Sequence, residues 1–247
     1  MKVVGLVSGG KDSCFNLMKC VEDGHEITCL GNLYPSEGLQ EIDSYMYQSV
    51  GHDGVKYYAE AFGLPLYRQE ITGKPVNVGS DYDATQEDEV EDLFLLLERI
   101  LKEHPDVEGV SAGAILSSYQ KVRVEHVCAR LGLKPLCYLW ERDQQELLGE
   151  MIASGVEAVL IKVAAMGLSA EHLGLTLAQA QPSLEKLSDA YGVHVCGEGG
   201  EYESFVVDCP LFKKRISIDE SEVVLHSKDP FAPVYYLKLN KLSLHEK

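Results

Sequence analysis

Positive charge is scarce in this 247-residue chain: 22 Lys plus Arg stand against 39 Asp plus Glu, for a formal net charge of -17. Binding to a duplex or a tRNA needs Lys and Arg to displace counterions from phosphates, so no nucleic-acid partner is expected. No CxxC pair occurs among Cys14, Cys20, Cys29, Cys128, Cys137, Cys196 and Cys209. A zinc centre and a disulfide framework are both disfavoured, and the thiols are expected to pack as small hydrophobes. No apolar run approaches the roughly 20 residues that a membrane span requires. The apolar stretch before Ser8, about five residues, is too short for the core of a secretory signal, so a cytoplasmic location without a membrane partner is expected. No repeat of about 20 to 50 residues is visible. The nearest approach to low complexity, Gln86 to Asp92, is expected to open a helix, where carboxylates suit the positive end of the macrodipole.

Apolar residues make up 45% of the chain and charged residues 25%, the composition of an ordinary globular protein with a real core. Val3 to Val7 reads as a buried strand, SGG as a tight turn, and Cys14 to Val21 as a helix. Strands at Ile27–Leu33, Pro65–Tyr67, Val107–Ala112 and Leu136–Leu139 alternate with helices at Val55–Phe62, Glu87–Leu101 and Tyr119–Leu131. Such alternation implies an α/β fold with a parallel sheet covered on both faces, whose ligands sit at the carboxyl ends of the strands. After Trp140 the pattern changes. Helices are expected at Asp143–Ala153 and at Leu175–Tyr191, the latter interrupted by Pro182, with strands at Ala158–Val163, Phe205–Val207, Arg215–Ile218, Glu222–His226 and Val234–Leu239. The boundary reading is therefore a parallel-sheet domain over 1–140 and a smaller α+β domain over 141–247.

The hexapeptide SGGKDS, Ser8 to Ser13, falls at the first strand-helix junction. Gly9 and Gly10 let the backbone approach an anion, and the helix start directs unpaired N–H groups toward it. The segment nearly matches a Walker A loop, but Gly5 falls inside the strand and Asp12 stands where a magnesium-binding hydroxyl is required. SGGKDS instead resembles the PP-loop of the ATP pyrophosphatases, which cut ATP between the α and β phosphates. That resemblance implies an adenine-nucleotide alpha-hydrolase-like, Rossmann-like domain. Ser8, Gly9, Gly10, Lys11, Asp12 and Ser13 would hold the departing pyrophosphate, Lys11 and Asp12 would be catalytic, and Asp12 would hold Mg2+ or position the loop. The nucleoside would lie near Leu30–Asn32 and Gly113–Ala114, with Arg123 as a further phosphate candidate.

Three more segments narrow the resemblance: DSYMYQSVGH at Asp43–His52, AILSSYQKVRVEHVCARLGL at Ala114–Leu133, and YGVHVCGEGGEYESFVVDCPLFKK at Tyr191–Lys214. With the PP-loop they resemble the diphthine-ammonia ligase family over essentially the whole chain. The resemblance implies that ATP adenylates the diphthine carboxylate on elongation factor 2 and that ammonium supplies the amide nitrogen. Tyr45, Tyr47, Gln48 and His52 become substrate-side candidates. In the GEGGEYES loop, Gly197, Gly199 and Gly200 free the backbone, while Glu198, Glu201 and Glu203 place three carboxylates within six residues. Such crowding is costly without a cation. Magnesium, ammonium and the quaternary ammonium of diphthine are the candidates, the last also suited to the face of Tyr202. Glu198 or Glu201 is then the candidate base. Two rivals remain at this level, a tRNA-modifying PP-loop enzyme and a nucleotide-binding module without catalysis.

Overall fold

The computed structural model describes residues 1–36, 44 and 46–247. In the first half, β1 (Lys2–Leu6), β2 (Glu26–Tyr34), β3 (Leu66–Glu70), β4 (Val107–Ser111) and β5 (Lys134–Leu136) form one sheet in the order β3-β2-β1-β4-β5. Every pairing in it is parallel. The helices between them are α1 (Lys11–Glu22), α2 (His52–Val55), α3 (Tyr58–Phe62), α4 (Glu89–Glu103) and α5 (Ser118–Leu131). Val3 and Val4 in β1 are both fully buried but join different clusters, because alternate side chains leave opposite faces of a strand. Val4 packs with Leu93, Leu96 and Val127 of α4 and α5, whereas Phe15 and Leu17 of α1 pack on the other side. The order of strands reverses at β1, which has β2 on one side and β4 on the other. A crevice opens at such a switch point, beyond the strand ends.

The second half contributes α6 (Gln144–Ala153), β6 (Glu157–Val163), α7 (Leu177–Tyr191), β7 (Tyr202–Asp208), β8 (Lys214–Ser227) and β9 (Val234–Glu246). Its four strands pair antiparallel in the order β7-β6-β9-β8. Phe205 of β7 is fully buried in the same cluster as Phe15, Val50 and Tyr58, so the two sheets share apolar contacts beside the first loop.

Several element boundaries differ from expectation, each for a local reason. The expected 55–62 helix is two short ones, α2 and α3. β5 stops at Leu136, and Tyr138 then gives its N–H to Asn16 Oδ1 at 2.8 Å instead of to a neighbouring strand. α7 runs through Pro182 without interruption. A reciprocal capping box between Thr176 and Gln179 secures its first turn, with bonds of 2.9 and 3.2 Å. Arg215–Ile218 and Glu222–His226 belong to one long strand, whose register shifts at Ile218–Ser221 absorb the break in pattern. The acidic tract does lead into α4, and it also ties down a loop. Asp88 caps the helix through Val90 N–H (3.0 Å) and accepts from Val76 and Asn77, while Asp92 accepts from Thr72 and Gly73. The seven cysteines are free, and six are buried.

Candidate active site

The loop Ser8–Gly10 leaves β1 and enters α1, and its geometry is set by two glycines. Gly9 adopts φ +97°, a region that side chains avoid, and a Cβ on Gly10 would meet Gln48 Oε1 at 2.7 Å. The Gly9 carbonyl is anchored from behind by Val206 N–H and the Tyr58 hydroxyl, both at 2.8 Å. Three N–H groups of this loop end on hydroxyls: Ser8 on Ser13 Oγ (3.5 Å), Gly10 on Ser8 Oγ (3.3 Å) and Lys11 on Ser204 Oγ (3.1 Å). Neutral hydroxyls give weaker bonds than anions do, so an arriving phosphate can take their place.

Lys11 is 2% exposed. Its ammonium donates to Asp12 Oδ2 at 2.9 Å and to the Cys196 carbonyl, and lies 4.9 Å from the centre of the Tyr202 ring. Burial alone would lower its pKa, but the Asp12 carboxylate outweighs that and holds Lys11 firmly charged. Burial in turn raises the Asp12 carboxyl above its ordinary value, against the pull of Lys11. Asp12 Oδ1 is buried with no hydrogen-bond partner. A lone carboxylate oxygen beside a phosphate loop suits Mg2+, which takes one or two carboxylates and fills its remaining positions with phosphate and water.

A cleft of about 530 Å³ opens at the switch point, within the usual size for small-molecule sites. Ser8, Lys11, Asp12, Ser13, Tyr47, Gln48, Gly113 and Ala114 line it from the first half. Gly197, Glu198, Gly199, Gly200, Tyr202 and Glu203 line it from the second. Sequence reading missed its apolar lining, from Leu6, Leu33, Met46, Leu93 and Val124, because such residues carry the same periodic signal as core. Ser204, buried behind the loop, was missed as a partner of the Lys11 N–H.

Other expected site residues have different surroundings. Gly9 and Gly10 do not line the cleft, and the Gly10 N–H is covered by the Ser8 hydroxyl. Gly113 permits a close approach, but to protein: a Cβ there would lie 2.7 Å from the Asp12 carbonyl carbon. Asn32 is 2% exposed and braces the interior, donating to Val7 and Leu33 carbonyls and accepting from Arg68 Nε. Arg123 is fully buried, stacked 3.3 Å from the centre of the Tyr119 ring, donates to the carbonyls of Tyr119, Asn77 and Gly79, and does not itself line the cleft. His52 is buried at the start of α2, and its carbonyl accepts from Arg68 Nη2 at 3.0 Å. Tyr45 lies outside the described residues. Tyr202 is not an open aromatic face; it is 2% exposed, donates to the Val195 carbonyl at 2.8 Å, and spends its ring on Lys11.

The three crowded carboxylates are each provided for within the protein. Glu198 Oε1 accepts N–H bonds from Ile115 (2.9 Å), Leu116 (2.7 Å) and Ser117 (2.8 Å). Glu201 Oε1 and Oε2 accept from His194 and Gly199 N–H, at 2.9 and 2.8 Å, and its side chain does not line the cleft. Glu203 Oε1 pairs with Lys162 Nζ at 3.0 Å and does line it. Cys196, beside Lys11, is pushed up to about 12 by burial, so its thiol stays protonated and offers no nucleophile. Among the described residues no group of three or more His, Cys, Asp or Glu converges to hold a metal by itself.

A parallel sheet with the glycine loop Ser8–Ser13 at its switch point, completed by a loop from an antiparallel sheet, defines an α/β protein of PP-loop-like fold. Comparison with known proteins then sharpens the class. The model of the diphthamide synthase N-terminal domain matches residues 1–135, and that of the C-terminal domain matches 143–238. The diphthine–ammonia ligase of Rattus norvegicus is 58% identical over all of this chain and 94% of its own length. That of Danio rerio is 58% identical over all of this chain and 98% of its own. The Schizosaccharomyces pombe enzyme of the same name is 58% identical over 97% of this chain but only 39% of its own length. The chain belongs to the diphthamide synthase family of ligases. No helix among the described residues is long and apolar enough to cross a membrane.

Proposed function

We propose that this protein joins ammonia to the diphthine carboxylate of elongation factor 2, using ATP and passing through a carboxyl-adenylate with release of AMP and pyrophosphate. The observation that carries the reading is the charged, buried Lys11 beside an Asp12 oxygen that has no protein partner, at the mouth of a phosphate loop capped only by hydroxyls. Attack of a carboxylate on the α-phosphorus builds charge on the leaving pyrophosphate. Lys11 lines the cleft, and the N–H groups of Gly10 and Lys11 would reach that charge once it displaces the Ser8 and Ser204 hydroxyls. Mg2+ held at Asp12 Oδ1 would neutralise phosphate charge.

The work divides between the two halves. Residues 1–140 take the nucleotide, with the nucleoside against Gly31, Leu33 and Gly113–Ala114, while 141–247 supply the loop that faces the acceptor. Glu203 lines the cleft with its Oε1 on Lys162 Nζ, and it receives the ammonium. Tyr47, which lines the cleft, offers an aromatic face for the quaternary ammonium of diphthine. The acidic surface suits a protein acceptor with a basic loop, because complementary fields hasten encounter.

The test incubates the purified protein with ATP, ammonium and diphthine-bearing elongation factor 2. AMP and pyrophosphate are expected in equal amounts with the mass change of carboxylate-to-amide conversion. ADP with orthophosphate would reject adenylation, and nucleotide binding without turnover would leave a sensor module.

A further inference from the structure

Two loops face each other across the cleft, and one side chain ties them together. Glu198 projects from the 197–201 loop of the second half and places a single carboxylate oxygen on three successive N–H groups, those of Ile115, Leu116 and Ser117. These N–H groups form a nest at the start of α5, a concavity that selects an anion. A carboxylate seated there makes three charge-assisted bonds, each stronger than a bond to a hydroxyl. The residues on either side of Glu198 then reach Lys11: the Cys196 carbonyl accepts from its ammonium and the Tyr202 ring lies beneath it. Gly197, at φ +72°, makes the tight return possible, since a Cβ there would meet the Tyr202 carbonyl oxygen at 2.8 Å. Glu201 stiffens the same loop from within through His194 and Gly199.

We infer that Glu198 is a positioning residue, a latch that seats the 196–202 segment on the β4–α5 loop and so holds the phosphate-loop lysine at its station, and that it is not the base that deprotonates ammonium. The inference rests on the amide-ligase reading above and assigns one residue within it. A latch depends on reach and on an oxygen acceptor, whereas a base depends on a titrating carboxylate, so the two roles rank the variants differently.

The test compares Glu198→Gln, Glu198→Asp and Glu198→Ala with the wild type in the amide-forming assay across pH. Glu198→Gln keeps an oxygen at full reach and is expected to lose about tenfold in kcat, with a pH profile parallel to the wild type; Glu198→Asp and Glu198→Ala are expected to lose about a hundredfold. An aspartate variant more active than the glutamine one, or a glutamine variant with a flattened pH profile, would overturn the latch.

A second pair probes the nest from the other side. Ser117 has φ -71°, which proline accepts, so Ser117→Pro removes one N–H of the nest together with the hydroxyl, whereas Ser117→Ala removes the hydroxyl alone. Ser117→Pro is expected to be several-fold worse than Ser117→Ala, and equal activities would contradict the proposal. A readout independent of turnover is cleavage after Glu201 by a glutamate-specific protease. It is expected to be fastest in Glu198→Ala and close to wild type in Glu198→Gln; equal cleavage rates in all forms would count against the latch. Wild-type protein that makes no amide would sink the ligase reading, while the proteolysis would still report on Glu198.

Discussion

The two loops that enclose the cleft spend their polar groups in opposite ways. In the Ser8–Ser13 loop, backbone N–H groups rest on the hydroxyls of Ser8, Ser13 and Ser204. In and around the 197–203 loop they rest on carboxylates: Glu198 takes three, Glu201 two. A neutral hydrogen bond contributes about 1 kcal/mol net and one to a charged group about 1.5–3, so the first set is exchangeable and the second permanent. On the proposed reading, a phosphate arriving in the cleft would find its exchangeable donors on the Ser8–Ser13 side. The lesson is that a dense cluster of acids need not be a cation site, because backbone donors brought by another loop can satisfy it.

Substitutions can break this contrast, and the largest effect falls on the exchangeable side. Lys11→Met keeps the buried stem and removes the charge proposed to meet the leaving group. AMP formation is expected to fall by about 10³-fold, in the range seen when a stabilising donor is lost, and a loss below tenfold would remove Lys11 from the chemistry.

On the permanent side, two glycines of one loop should separate. Gly197→Ala adds a Cβ 2.8 Å from the Tyr202 carbonyl oxygen at φ +72°, whereas a Cβ on Gly200, at φ +83°, meets nothing within 4 Å. Urea titration is expected to show a cost of about 3 kcal/mol for the first and about 1 kcal/mol for the second. Equal costs would mean that the loop is not held in this conformation. Glu203→Gln, which leaves the backbone latches intact, is expected to raise the KM for ammonium several-fold with little change in the KM for ATP, measured by initial rates at varied ammonium.

The smallest effect serves as a control at a pair that does not line the cleft. Glu91 is paired with Arg130 at 2.8 and 2.9 Å. Burial opposes its ionisation, but Arg130 and Tyr82 hold its carboxyl below the usual 4.5. A carboxyl whose folded value is depressed stabilises the protein above its unfolded value, and that contribution is lost as the pH falls through the folded one. Arg130→Met is therefore expected to cost about 0.5–1 kcal/mol at neutral pH and almost nothing once acid has protonated Glu91, as followed by urea midpoints.

What could be read from the sequence was what short range decides. The β-branched run before SGG, the glycine pair and the helix after it place Lys11 and Asp12 at the start of α1, where the structure has them, because strand, turn and helix start are all local. The alternation of strands and helices likewise yields the parallel sheet. The misreadings share one cause, which is partners far along the chain. Arg123 finds the carbonyls of Asn77 and Gly79 and does not line the cleft. Asn32 is taken up by Val7 and Arg68. The donors that satisfy Glu198 come from the 115–117 turn, some 80 residues earlier, so spacing within GEGGEYES could not reveal them. Pro182 misled for the converse reason, since the Thr176–Gln179 capping box just before it secures the helix start and offsets its missing N–H.

The most direct measurement of the central claim is a crystal structure with an ATP analogue that cannot be cleaved between the α and β phosphates, together with Mg2+. The account expects the β and γ phosphates on the N–H groups of Gly10 and Lys11, with the metal at Asp12 Oδ1, the Ser8 and Ser204 hydroxyls released from those donors, and Glu198 still seated on Ile115–Ser117. Phosphates lodged on the 115–117 turn, with Glu198 displaced and the Ser8–Ser13 loop unchanged, would contradict it.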